Sequence, residues 1–433
     1  MSSTHTITRR AMLTTAMAGA VATALGACSV TGAKPATGAS GEAGGTINAL
    51  FMKQAGYSES DVNAIIADFQ TKTPDIKVVP TFVAYEALHD KIVTSAPAGT
   101  YDVVLMDCIW PAEFASKNIA ADLTGKIPAS WKTDMLGGAL SSALYQDKYY
   151  GVPWGPSAKL FFYNDAMLKK VGASASDVET WDGVLAVAKK LKDAGVVKYP
   201  LSWSWSQAEA VICDYAVLLG AFGGSFTDDS GKLAVNQPAG VQALSWMYAT
   251  IKDGLTDPGS VTYLEDDTSK ALAGGKAAMI LNWESTFVDL NDKKISSIVG
   301  DAAVAGMPKG PSGQNPGVNG SMAFAIPTTS KHQTAAFTFL EHITSLPVQT
   351  QYATKQAPDW KAAYTDAAVL MTNPEVLPVA GKTYDNLISR PEVPNYNAVS
   401  QILQVQIQKA LLGKVSPQAA MDAAVEQAAA LPA

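Results

Sequence analysis

Hydrophobic positions along this chain switch repeatedly between the two-residue period of a strand and the three-to-four-residue period of a helix. Residues 46–52 form a buried-strand pattern, and after a short loop Ser58 opens a helix with Asp61 at its third helical position and Val62, Ile65, Ile66 and Phe69 on one face. Pro74 ends that helix. Residues 76–79 predict a second strand, 85–93 a second helix and 102–106 a third strand, with Asp107 at its carboxyl end. A second series follows Pro153. Thr180 caps a helix that stops at Gly195, Ser206 and Glu209 form a capping box for a helix to Phe222, residues 240–253 are helical, and 277–281 form a strand that delivers Asn282, Trp283 and Glu284 to its end. Residues 321–326 give another strand, followed by a helix capped by Ser330 that ends near Pro347. The C-terminal region reads as helices, one over 395–412 stopped by Gly413 and a last one begun by Ser416-Pro417. Strands alternating with helices predict an α/β fold of doubly wound sheets flanked by helices, whose ligands sit beyond the carboxyl ends of the strands. On that rule the loops 53–57 and 107–110 face one crevice.

Residues 1–30 depart from this pattern. Thr8-Arg9-Arg10 precedes an apolar run over 11–25 and then Leu25-Gly26-Ala27-Cys28. The run is too short to span a bilayer, and a charged start with small residues before a cut site reads as a secretory signal, residues 1–27, so the chain is exported. A cysteine directly after Leu-Gly-Ala resembles the bacterial lipobox, in which the signal is cut before Cys28 and the thiol carries the lipid that anchors the protein to the outer face of the cell membrane. The paired arginines resemble a twin-arginine export signal, without the usual Phe two residues on. The plainer alternative is a soluble secreted protein with a cysteine near its cleavage point. Residues 29–45 are almost all Gly, Ala, Ser, Thr and Pro, so the lipidated stretch 28–45 behaves as a flexible tether.

Composition narrows the classes further. A hydrophobic content of 48% supplies material for two cores in the long remainder of the chain, and no later apolar run approaches the ~20 residues of a membrane helix. A net charge of -7 without a basic block argues against nucleic acid or anionic lipid as a partner. Once Cys28 is lipidated only Cys108 and Cys213 remain, which excludes a disulfide scaffold. They read as buried free thiols, with pairing as the alternative. His89, His332 and His342 lie far apart in no metal-ligand spacing, so neither a metal nor another cofactor is expected. Arg390 is the one arginine beyond the signal segment, every other basic position there being lysine.

Tyr149-Tyr150-Gly151-Val152-Pro153-Trp154 followed by Leu160-Phe161-Phe162-Tyr163-Asn164 resembles the segment by which family 1 extracellular solute-binding proteins, the maltose-binding-protein group, first cross between lobes. Gly275-Lys276-Ala277-Ala278-Met279, Asn319-Gly320-Ser321, Arg390-Pro391 with Pro394-Asn395-Tyr396, and residues 413–420 fall in the family's usual order. The resemblance implies a periplasmic-binding-protein-like fold of two lobes, each of non-contiguous segments: residues 46–153 and 306–345 in the first, 154–305 and 346–433 in the second. Three crossovers, near Pro153, Met307 and Leu346, would hinge them. It also implies a monomer that closes on a solute, mostly a sugar, oligosaccharide or polyol in this family, and docks on the permease of an ABC importer, with the ATPase an indirect partner.

Sugar capture asks for flat aromatic faces and for planar polar groups that bond hydroxyls in pairs. The loops named above supply both: Gln54 and Tyr57 after the first strand, Asp107 and Trp110 after the third, and Trp154 at the first crossover. Trp203 and Trp205 share one face of an extended run, with Glu209 close behind. Asn282, Trp283 and Glu284 end another strand, Asn319 precedes the strand at Ser321, and Trp360 lies in a loop that the family often brings over the cleft. Arg390 offers a rigid fork suited to vicinal hydroxyls or a carboxylate. Each has a structural alternative: Tyr57 as a hydrophobic staple, Glu209 and Asp107 as caps, Trp110 packed under its own helix, Arg390 in an ion pair tying the last segment to its lobe. Trp181 and Trp246 lie inside amphipathic helices and are read as core. Asp107, Glu209 and Glu284 also leave room for a glycosidase, which needs two carboxyl groups flanking the scissile bond. A third reading keeps the binding fold and gives it a non-sugar polar solute. No other reaction has a recognisable motif, so binding without catalysis is the expectation.

Overall fold

A computed structural model of the protein describes residues 43–53 and 56–431. The signal segment, Cys28, most of the tether and Gln54 lie outside the described residues. In chain order the main elements are β1 (Gly45–Met52), α1 (Glu59–Lys72), β2 (Ile76–Val83), α2 (Tyr85–Ser95), β3 (Val103–Asp107), α3 (Pro111–Ser116), α4 (Ala129–Asp134), β4 (Val152–Pro153) and β5 (Lys159–Asn164). There follow α5 (Trp181–Asp193), β6 (Leu201–Ser202), α6 (Glu209–Ala221), α7 (Pro238–Lys252), β7 (Met279–Trp283), β8 (Ala302–Ala305), β9 (Gly317–Val318) and β10 (Met322–Ala325). The chain ends in α8 (Gln333–Ile343), α9 (Leu346–Gln351), β11 (Leu387–Ile388), α10 (Tyr396–Leu411) and α11 (Pro417–Ala429). No helix among the described residues is long and apolar enough to cross a membrane.

Two sheets organise two lobes. The first has the order β2-β1-β3-β10-β4; β2, β1 and β3 run parallel, and β10 is antiparallel to both β3 and β4. The second has the order β8-β5-β7-β6, with β6 and β7 parallel. Successive side chains of a strand face opposite sides. On β5, Phe161 therefore enters a core with Trp181, Trp203 and Tyr215, while Leu160 and Phe162 enter another with Ile280 and Leu377. The first sheet carries its own core, from Ile47 and Phe51 through Val104 and Phe324 to Phe339. Beneath the second sheet, Lys159 is wholly buried and bonds Asp214 at 2.7 Å, Ser204 at 2.9 Å and Glu265 at 3.2 Å, which compensates a charge that burial alone would not tolerate.

Local capping follows the sequence in part. Ser58 and Asp61 form a reciprocal capping box at α1, Thr180 caps α5 and Ser416 caps α11. Two expected caps are absent. The Ser206–Glu209 box does not form, because α6 starts at Glu209 itself with no side-chain cap and the carboxylate is drawn to a charged partner. Ser330 does not cap α8, which begins at Gln333; its hydroxyl donates to Asp102 Oδ1 at 2.6 Å and accepts from His332 N. Cys108 and Cys213 are both free.

The lobes are joined by strands from three distant parts of the chain. Gly320 N donates to Ser157 O (2.9 Å) and Met322 N to Gly155 O (3.1 Å), while β9 pairs with β11 and Asn319 N donates to Ile388 O (3.1 Å). Asp359 ties in the segment after α9: its Oδ2 accepts from Gly155 N (3.2 Å) and Gln349 Nε2 (2.5 Å), and its Oδ1 has no partner among the described residues. Burial pushes this carboxyl up to about 7. An acid whose pKa is raised on folding holds its proton more tightly in the native state, so stability falls as pH rises between the unfolded and folded values. Chemical denaturation should therefore show the protein losing stability on the order of a few kcal/mol from about pH 4 to pH 7, and Asp359→Asn should remove much of that slope. An unchanged slope in the variant would mean that other groups set it.

Candidate functional site

The carboxyl ends of β2 and β3 deliver Tyr85 and Asp107 to the edge of the first lobe, and the segment after β6 leads to Glu209 at the start of α6 in the second. Arg390, just beyond β11, reaches both. Its Nη2 donates to Asp107 Oδ1 at 3.0 Å and its Nη1 to Glu209 Oε1 at 2.8 Å. Nη2 also donates to Asn319 O (3.0 Å) and Cys108 Sγ (3.3 Å). The Tyr85 hydroxyl donates to Asp107 Oδ2 at 2.7 Å, and Glu209 accepts from the hydroxyls of Tyr396 and, at 2.5 Å, Ser400, both on α10. Burial opposes the Arg390 charge, but Asp107 together with the neighbouring Cys213, Cys108 and Tyr396 outweighs it and raises the pKa. Arg390 thus does not merely tie the last segment to its own lobe, because its two carboxylates belong to different lobes.

A second contact crosses the lobes beside it. Asn397 of α10, a helix whose apolar face belongs to the second core, lies 2.7 Å from His89 Nε2 of α2, and that nitrogen is 2.8 Å from Glu113 Oε2 of α3. Burial disfavours charge on His89, yet the hydrogen bonds and charges of Glu113 and Asp90 prevail and raise its pKa. Lys117 completes the group at 2.6 Å from Glu113.

The remaining predicted site residues divide clearly. Trp203 and Trp205 do share a face, but that face is the second core: they are 1% and 0% exposed and stack on each other at 5.8 Å. Trp154 and Tyr57 stack at 4.7 Å inside the first core. Trp110 is buried under α2 and α3 against Tyr85, His89 and Phe114. Asn282 is spent on Glu265 O, Thr268 and the Trp283 amide, and Asn319 on Gly138 O, Ser141 and the Ser321 amide. Glu284 is buried, accepts from Ser157 Oγ, Ala158 N and Tyr384 Oη, and has its pKa raised by burial in spite of those bonds. It is therefore a support of the first crossover. Trp360 packs edge-on against Trp131 and its Nε1 donates to Thr344 O, away from the Arg390 network. Trp283 alone among these aromatics is half-buried at a strand end. The Lys159 ammonium sits 5.3 Å from its ring centroid, and a Cβ on Gly320 would lie 2.3 Å from its Cζ3.

Sequence reasoning missed Tyr85, Tyr396, Ser400, His89 and Asn397. Tyr85 was reachable, since it follows the carboxyl end of β2 just as Asp107 ends β3. Tyr396 lies in the family-like segment Pro394-Asn395-Tyr396, but neither its role nor that of Ser400 is legible locally, because both depend on where Glu209 lies after folding.

Arg390→Lys keeps the charge but cannot reach both carboxylates, and losing one partner of a buried pair costs about 3 kcal/mol. The variant should melt at lower temperature, and small-angle scattering of the ligand-free protein should show a larger radius of gyration than wild type. Unchanged melting and scattering would mean that other contacts hold the lobes together.

Comparisons with known proteins agree with this architecture. A probable ABC transporter-binding protein of Deinococcus radiodurans is 28% identical over 343 residues, covering 74% of this chain and 78% of its own. The maltose-bound T. maritima protein MalE3 superimposes with a TM-score of 0.82 at 28% identity, over 89% of this chain and 99% of its own. A solute-binding protein of an ABC transporter from Thermotoga lettingae, bound with alpha-D-tagatose, gives 0.80 at 25% identity over 88% and 98%. Residues 55–350 match the family of bacterial extracellular solute-binding proteins. The chain belongs to that family, whose members bind solutes rather than transform them.

Proposed function

We propose that this protein captures a neutral sugar or polyol between its lobes and delivers it to the permease of an ABC importer. The observation that carries the reading is the Arg390 fork, which engages Asp107 from one lobe and Glu209 from the other. Groups that meet only when the lobes meet are those a solute would bridge in the closed form. Asp107, Glu209 and Arg390 together offer acceptors and donors in planar pairs suited to hydroxyls, and Trp283 adds an aromatic face. Support for the solute class comes from related structures with maltose, alpha-D-tagatose and, in an Agrobacterium radiobacter protein of 25% identity, ribitol. In this reading the first lobe comprises residues 46–153 and 306–345 and the second 154–305 and 346–433.

Export and anchoring complete the proposal. Residues 1–27 act as the export signal, and the protein works as a monomer held to the outer face of the membrane by a lipid on Cys28 and the tether behind it. Cys28→Ser should then release the protein from membranes or block its processing, as read by fractionation and mass spectrometry. Membrane association and processing identical to wild type would discard the anchor.

A thermal-shift screen of sugars and polyols identifies the solute, since a ligand at 100 times its Kd adds about 2.7 kcal/mol. Calorimetry with the ligand found should give an affinity at least about ten-fold weaker for Trp283→Ala, which loses its stacking face. Affinity equal to wild type with folding intact would remove Trp283 from the site. Hydrolysis of a bound oligosaccharide by the wild type would overturn the receptor reading itself.

A further inference from the structure

Away from the Arg390 network, a recess of about 530 Å³ opens between α4, the C-terminal end of α8 and the segment after Asp359. That volume falls within the range of small-molecule sites. Its apolar part is largely indole: Trp131, buried, and Trp360, half-buried, meet at 83° with ring centroids 5.9 Å apart. The one donor of the Trp360 ring is spent on Thr344 O at 2.8 Å, so what this indole offers an occupant is its flat face. The rim is polar and exposed, with Asp134, Glu341 and Lys361 around it.

Charge at this rim is already balanced. Lys361 brings an ammonium into the same wall as the two carboxylates, and the positive charge of Lys126 acts on Glu341. Neither a cation nor an anion finds an unmet counter-charge here, and exposed charges reward a partner little in any case. Hydrogen-bonding capacity, by contrast, is left over. Lys361 spends one N–H on Thr133 O at 2.8 Å and keeps two, while Asp134 accepts from Thr133 Oγ1 at 2.8 Å through one oxygen only. Glu341 makes no hydrogen bond or ion pair among the described residues. A purely apolar occupant would cover the indole and strip water from these groups without replacing it. A neutral polyhydroxylated ring answers both parts: its C–H face lies on the indole, and its hydroxyls, each donor and acceptor at once, meet the ammonium and the carboxylates. We propose that this recess is an accessory binding site for a neutral saccharide, separate from the cleft and independent of the solute held between the lobes.

The recess carries its own reporters. Full mature protein labelled with 5-fluorotryptophan gives fluorine resonances that Trp131→Phe, Trp360→Phe and Trp283→Phe assign. Titration with maltotriose and, separately, with cellotriose should shift the Trp131 and Trp360 resonances for at least one of the two, with a Kd on the order of 1 mM, as befits a shallow stacked site. Trp283 reports the cleft in the same spectra, so a failure of the cleft reading leaves this site testable, and the reverse holds. Ala362→Leu, which narrows the recess at an exposed position, and the exposed rim pair Glu341→Ala with Lys361→Ala should each weaken the Trp360 response several-fold. A shift transmitted from the cleft would be indifferent to these changes. Glucosamine and glucuronate should bind no tighter than glucose. No shift of either recess resonance with both trisaccharides at millimolar concentration, a shift indifferent to Ala362→Leu and to the rim pair alike, or a clear preference for glucosamine or glucuronate over glucose would each overturn the proposal.

Discussion

One guanidinium holds the two halves of this molecule in register. Arg390 sits beside the strand pair through which the lobes are joined and extends one nitrogen toward Asp107 and the other toward Glu209. A lysine in that place would present a point charge and satisfy one carboxylate at a time, whereas the planar fork makes two directed bonds at once. The carboxylates are oriented in turn by Tyr85 on one side and by Tyr396 and Ser400 on the other. Because these groups are buried, removing any one leaves its partner uncompensated, and the cluster behaves as a unit.

Much of the fold was legible because its signals are local. The box of Ser58 and Asp61, the Thr180 cap and the Ser416-Pro417 start each depend on residues within one helical turn, and all three formed. The singular Arg390 was also visible in the sequence, but its partners lie far away in the chain and could not be read from spacing. Glu209 illustrates the limit. Its distance from Ser206 fits a capping box, yet a charged partner brought in by the fold outcompetes a neutral cap. Trp203 and Trp205 illustrate another: alternation fixed that they share a face, while only the packing of α5, α6 and α7 decides that the face is interior.

The hinge is equally a product of distant contacts. Gly155, Ser157, Asn319 and Ile388 are linked by main-chain hydrogen bonds, with Asp359 and Glu284 fastening side chains onto the same strands. Gly320 stands where the indole of Trp283 comes down on the crossing strand, and there is no room for a side chain at that point. The half-buried tryptophan and the hinge are therefore mechanically connected, so that motion of one lobe relative to the other alters what that ring can touch.

The placement of β10 bears on how the molecule is made. It lies between β3 and β4, two strands that precede it by most of the second lobe. A ribosome that has released residues as far as β4 has produced a sheet with an open slot and two unpaired edges, and the strand that fills the slot emerges only after the entire intervening domain. Such long-range pairing is slow to form, because loop-closure entropy must be met before the contacts reward it. The nascent chain must thus extend past residue 325 before its first sheet can be completed, and until then the N-terminal segment is a partly edged intermediate that depends on later sequence to become a folded domain.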